Sequence, residues 1–157
     1  MDIREAQALA VELMNQHGLT SHGWTFELDE AKRRFGLCSY QRKVISLSRV
    51  LIELNTLAQV KDTILHEVAH ALAGPMAKHG RLWQVQALAI GARPERCYTS
   101  DEVATPTAPW QAVCQFCKRT IKRHRLTRRT AHEAYCTCAQ SMAQFPKVYL
   151  KWERTQG

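Results

Sequence analysis

Three histidines and a glutamate in the stretch from His66 to Trp83, HEVAHALAGPMAKHGRLW, have the types and spacing of a hydrolytic zinc site. Residues four apart on an α-helix differ by about 400° in rotation, so His66 and His70 stand on one face, a turn apart. Imidazoles so placed share one zinc ion, and Glu67 is positioned to reach a water at that ion without ligating it. Zinc lowers the pKa of such a water from about 15.7 to about 7, and a nearby carboxylate then takes its proton. A catalytic zinc has three protein ligands and one open position. His79 is the best candidate for the third, because Gly74 and Pro75 let the chain turn back after His70. Glu95 or Glu102 is the competing assignment, and the spacing from His70 to His79 is longer than in metzincins. Tyr40 and Tyr98 are the candidates for an additional oxyanion stabiliser.

A second set of metal-binding types lies near the C-terminus. Cys114-x-x-Cys117, 18 further residues, then Cys136-x-Cys138 has a zinc-ribbon layout, except that the second pair is one residue short. Four thiolates are the expected ligands, with His132 or His124 replacing one cysteine as the alternative. A structural zinc is closed by four protein ligands and supplies folding energy that about fifty residues cannot draw from their own core. The cofactors implied are therefore two zinc ions, one catalytic and one structural. Cys38 and Cys97, each alone, read as inert thiols.

The first site needs a helix, and the sequence supplies one. Leu57, Val60, Ile64, Val68 and Leu72 recur at three- and four-residue steps and form a buried stripe beside the histidines. Asn55 or Thr56 can cap its start, and Gly74-Pro75 ends it. Residues 2–17 form an earlier helix whose face of Ile3, Ala6, Leu9, Ala10 and Leu13 docks on it. Residues 80–90 form a later one, with Trp83, Ala87 and Ile90 inward and Trp83 under the zinc. Alternation in WTFELD (24–29), FGLCSY (35–40) and KVISLS (43–48) predicts three strands in a small antiparallel sheet. An edge of such a sheet can hold an extended peptide by strand addition. The fold class is α+β: zincin-like helices with a small sheet, then a small C-terminal zinc ribbon. The linker-like ATPTAP at 104–109 places the boundary between domains 1–105 and 106–157.

Charge divides sharply near that linker. Residues 1–108 hold 12 Lys+Arg and 12 Asp+Glu, a net of zero, whereas residues 109–157 hold 10 and 2, a net of +8. Lys118, Arg119, Lys122, Arg123, Arg125, Arg128 and Arg129 fall within 12 residues, on what reads as a metal-stapled hairpin with Trp110 and Tyr135 nearby. Phosphate is the natural partner, bound without sequence readout and steeply in salt. The neighbouring aromatics suit single-stranded or distorted DNA, although these residues do not separate DNA from RNA. Lys32, Arg33 and Arg34 read as a solvated turn, and His17 and His22 as loop residues. No apolar run approaches the ~18 residues of a membrane span. With no basic-then-apolar leader and six cysteines, a reducing cytoplasm is expected, at the nucleoid if the source is bacterial.

HEVAH, the later His79-Gly80 and Trp83, Ile45-Ser46-Leu47-Ser48, and Gly91-Ala92-Arg93-Pro94-Glu95-Arg96-Cys97 together resemble the SprT-like family, which includes the eukaryotic Spartan proteases. The resemblance implies a zinc-dependent, often DNA-associated peptidase, and many members also carry a C-terminal zinc ribbon. Better-known members cleave proteins crosslinked to DNA. The expected function is a zinc metalloendopeptidase acting on DNA-bound or DNA-crosslinked proteins. Two rivals stand beside it: a DNA-binding ribbon protein with a silent peptidase site, and a peptidase independent of DNA.

Overall fold

The computed structural model describes residues 1–95, 102–139 and 147–155. The chain divides into two compact units, Met1–Pro106 and Thr107–Gly157. The described residues form a mixed α+β protein with five α-helices and small sheets. Among the described residues no helix is long and apolar enough to cross a membrane.

The first unit begins with α1 (Ile3–Gln16), whose N-cap Asp2 accepts from the Arg4 and Glu5 backbone N–H groups. Its inward face buries Ala6, Ala10, Leu13 and Met14, and it packs on α3 (Leu57–Ala73). Small alanines at the contact let the two helices approach closely. Strands β1 (Thr25–Asp29), β2 (Gly36–Ser39) and β3 (Val44–Ser48) form one sheet in the order β1-β3-β2. The expected antiparallel pairing holds for β2 and β3, but β1 joins β3 in parallel, so the sheet is mixed. The reason lies in β3, all five of whose residues are buried. A strand covered on both faces belongs in the middle, and it separates β1 from β2. Its serines tolerate that place because Ser46 Oγ donates to Asp29 (2.8 Å) and Ser48 Oγ to the Ala31 carbonyl (2.5 Å).

A short helix, α2 (Arg49–Leu54), follows β3 directly, with the Ser48 side chain accepting from the Leu51 N–H. α3 then opens with a complete capping box, in which Thr56 and Gln59 satisfy each other's backbone N–H groups. Val60, Ile64 and Val68 are fully buried along it. Leu57, expected in that stripe, is 57% exposed, because the first helical turn overhangs the core. Gly74 ends the helix with φ +86, a conformation that side-chain-bearing residues rarely adopt. The chain reverses there and enters α4 (Arg81–Ala89), which returns Trp83 and Ala87 to the core.

In the second unit, β4 (Trp110–Val113) pairs with β5 (Thr120–Arg123) and with β8 (Glu153–Arg154), both antiparallel. Helix α5 (Arg128–Glu133) leads to β6 (Tyr135–Cys136), which pairs with β7 (Val148–Tyr149). The final segment thus supplies two short strands, and Trp152 packs against the local core between them. Among the described residues that core is Ala112, Cys114, Cys136 and Leu150 with a few half-buried neighbours. So little apolar surface needs a staple.

Candidate functional site

The 3.6-residue period of α3 sets His66 and His70 side by side, and the reversal at Gly74 brings His79 to meet them. The Nε2 of His79 lies 3.0 Å from that of His70 and 3.2 Å from that of His66. Three nitrogens around one tetrahedral zinc, at about 2.0–2.1 Å each, stand roughly 3.3 Å apart. A neutral imidazole has one N–H and one lone pair, so mutual hydrogen bonds cannot satisfy three ring nitrogens aimed at one point, whereas a cation can. The donor set therefore fits the metal. Burial first, then the neighbouring imidazoles, lower both His66 and His70 to a pKa of about 4, which keeps them in the lone-pair form a metal needs.

Trp83, fully buried, floors this cluster. Its ring centroid lies 4.7 Å from that of His66, 5.2 Å from that of His70 and 4.8 Å from that of His79. A single indole thus fixes three imidazole orientations through packing.

Glu67, one residue on and so rotated by about 100°, has its side chain against Gly36 of β2. It is 7% exposed, and its carboxyl lines a cleft of about 700 Å³ together with His66, His70 and His79. Burial raises its pKa to about 7, with the Arg34 guanidinium and a hydrogen bond from the Cys38 backbone opposing the rise. A carboxyl poised near neutrality is suited to accept and return a proton.

Glu102 pairs with Arg93 at 2.8 Å, and Arg93 also binds Asp62 on α3. Glu95 stands exposed at the cleft rim. Neither joins the histidine cluster, whose ligand atoms lie within 4.8 Å of one another. The Tyr40 hydroxyl donates to the His70 carbonyl (2.6 Å), which engages it with the backbone of α3. Tyr98 and Cys97 lie outside the described residues. The Cys38 thiol is half-buried at the cleft wall and is pushed up to about 12 by burial and by Glu67, so it is no thiolate nucleophile.

Gly36 escaped the sequence reading. It is the residue of β2 lying directly against Glu67. A lone glycine within an alternating strand pattern signals close approach of another group, and FGLCSY carried that signal.

In the second unit the four cysteines converge. Cys114 Sγ lies 3.6 Å from Cys138 Sγ, and Cys117 Sγ 3.7 Å from Cys136 Sγ. Tetrahedral thiolates at about 2.3 Å from zinc stand roughly 3.8 Å apart, whereas a disulfide needs about 2.05 Å. The short Cys136-x-Cys138 spacing closes because a 3₁₀ turn at Thr137–Ala139 follows β6 at once. Across the β4–β5 turn, Lys118 takes a left-handed φ of +59 and its N–H donates to the Cys114 carbonyl. Hydrogen bonds from the Cys117 and Phe116 backbone lower the Cys114 thiol, while contact with the other sulfurs raises that of Cys138, so the cluster titrates as one coupled set. Neither His124 nor His132 belongs to the cluster.

All seven cations singled out in the sequence are exposed. They do not share one hairpin: Lys118, Arg119, Lys122 and Arg123 lie on the β4–β5 turn and β5, Arg125 follows, and Arg128 and Arg129 sit on α5. Arg129 pairs with Glu133 on that helix. Arg154 lies over the Trp110 ring and Lys147 over the Tyr135 ring.

The SprT-like family profile matches residues 6–103. The chain belongs to the SprT-like family. That match contains His66, Glu67, His70 and His79 and ends before the four cysteines. Protein SprT of Glaesserella parasuis serovar 5 (strain SH0165) is 28% identical over 99 residues, covering 59% of this chain and 64% of that protein. Protein SprT of Escherichia coli O1:K1 / APEC is 31% identical over 87 residues, 51% of this chain and 53% of that protein. The chain thus spans between about half and two thirds of the length of these curated relatives. No solved structure matches it. The SprT-like family is related to zinc metalloproteases, and it is the SprT-like unit that holds the three histidines.

Proposed function

We propose that this protein is a zinc-dependent metalloendopeptidase that acts on proteins bound or crosslinked to DNA. One observation carries the peptidase reading: three imidazole nitrogens converge within 3.2 Å steps at a cleft that also contains a buried carboxyl. His66, His70 and His79 would hold the zinc. When bound, the metal supplies a Lewis acid that polarises the scissile carbonyl and makes water acidic at neutral pH. Glu67 takes the proton from the attacking water and returns it to the leaving nitrogen. Trp83 keeps the three rings in place, and the outer strand β2 offers its edge to an extended peptide. The second unit, held by Cys114, Cys117, Cys136 and Cys138 around a structural zinc, contributes a net +8 in its exposed cations. That excess supports sequence-independent DNA binding, single-stranded or distorted, which would concentrate DNA-bound protein at the cleft.

The test uses the full chain, a DNA-bound protein substrate, and the same protein without DNA. Cleavage that requires DNA and disappears in Glu67→Gln is the expected result. Equal cleavage without DNA would leave a stand-alone peptidase. DNA binding with no cleavage under either condition would leave a binding protein with a silent site.

A further inference from the structure

Gly36 opens β2 with no left-handed backbone angle, so conformational freedom does not demand a glycine there. Space does. A Cβ at this position would lie 2.7 Å from Glu67 Cγ, 2.7 Å from its Oε1 and 3.0 Å from its Cδ. Carbon atoms pack no closer than about 3.5 Å without repulsion. The backbone of Glu67 is fixed in the interior of α3, with Leu65, Val68 and Ala69 buried around it, so only its side chain can give way. Two residues along the same strand, the Cys38 backbone lies close enough to the same carboxyl to favour its charged form. The bare backbone at Gly36 leaves the space that the Glu67 side chain fills.

We propose that Gly36 is a positioning residue for the reaction: its missing side chain lets the Glu67 carboxylate lie against β2 beside the three-histidine centre. This role rests on the peptidase reading above. A methyl group at 36 pushes the carboxylate off its seat against β2 and so out of the position from which it meets the water. Displacement of a reacting group by about 1 Å costs on the order of 100-fold in rate.

The experiment is Gly36→Ala in the full chain, with zinc content, steady-state kinetics and amide exchange measured together. The expected result is wild-type zinc content, kcat lower by about 100-fold with KM within about threefold, and faster exchange of the Cys38 amide. In a Glu67→Gln background the same alanine should take nothing more from the residual rate, since the base it displaces is already gone. An unchanged kcat, a rise in KM alone, or an equal loss in the Glu67→Gln background would overturn the proposal. If Gly36→Ala does not fold, Gly36→Ala/Glu67→Ala decides: recovery of folding supports the contact, and continued failure overturns it. Absence of Glu67-dependent hydrolysis in the wild type would remove the peptidase reading and this role with it, while Cys38 exchange would still report whether the seat exists.

Discussion

Glu67 shows how much one side chain's surroundings determine. Its pKa rises from 4.5 to about 7 because burial disfavours the carboxylate more than Arg34 and Cys38 restore it. In metal-free protein the folded state then keeps a proton that the unfolded chain releases between those two values. Stability therefore falls as pH rises through that window, and the full penalty is present above it. For a shift of this size the penalty is on the order of 3 kcal/mol. Glu67→Gln should accordingly make chelator-treated protein more stable above pH 7, with the gap closing toward pH 4.5. Urea unfolding of the metal-free proteins across that range measures it, and a gap that widens toward acid would contradict the assigned environment. Zinc should shrink the difference, since a nearby cation favours the carboxylate. The closeness of His66 and His70 was legible because helical period alone places them on one face. The seat at Gly36 was not, since a contact between residues 31 positions apart leaves no trace in local spacing beyond the glycine itself.

α3 was the most readable of the secondary-structure elements, because its apolar stripe, its cap and its stop signal all agree. The capping box ties Thr56 to Gln59, and Gln59 also reaches the Glu102 carbonyl, so this helix start is joined to the segment returning past Arg93. Thr56→Ala removes one acceptor for an N-terminal N–H and should cost about 1 kcal/mol of stability. Thermal unfolding of the zinc-loaded protein checks this; a loss below the error of the measurement would mean that the neighbouring contacts hold the helix start alone. Other elements hid their places. KVISLS alternates as a half-exposed strand would, yet Ser46 and Ser48 are buried because Asp29 and Ala31 accept their hydroxyl protons. Those partners belong to β1 and the residues just after it, the pairing that period-two patterning cannot reveal. α2 was missed for a different reason: six residues are too few to display a helical repeat.

The two units divide the chemistry as well as the charge. Residues 1–108 are electrically balanced, so the net +8 falls wholly on the unit that the four cysteines hold together. The meeting of the four cysteines was legible despite the short second pair, because their spacing is close to that of a zinc ribbon. The arrangement of the cations was not, since α5 carries two of them away from the β4–β5 turn. If Lys118, Arg119, Lys122 and Arg123 meet phosphates, each releases counterions on binding. The logarithm of affinity should then fall linearly with the logarithm of salt, by about 0.7–0.9 per contact. Replacing all four with glutamine in the full chain should weaken DNA binding and flatten that slope by about 3. Titrations between low and moderate salt measure both, with zinc per chain confirming that the cysteine cluster survives the substitutions. Non-specific electrostatics would give the same flattening for several DNA sequences, whereas base readout would leave one sequence favoured at every salt concentration. A slope that does not move would place the phosphate contacts away from β5 and its turn, and the recruiting role of this unit would lose its physical basis.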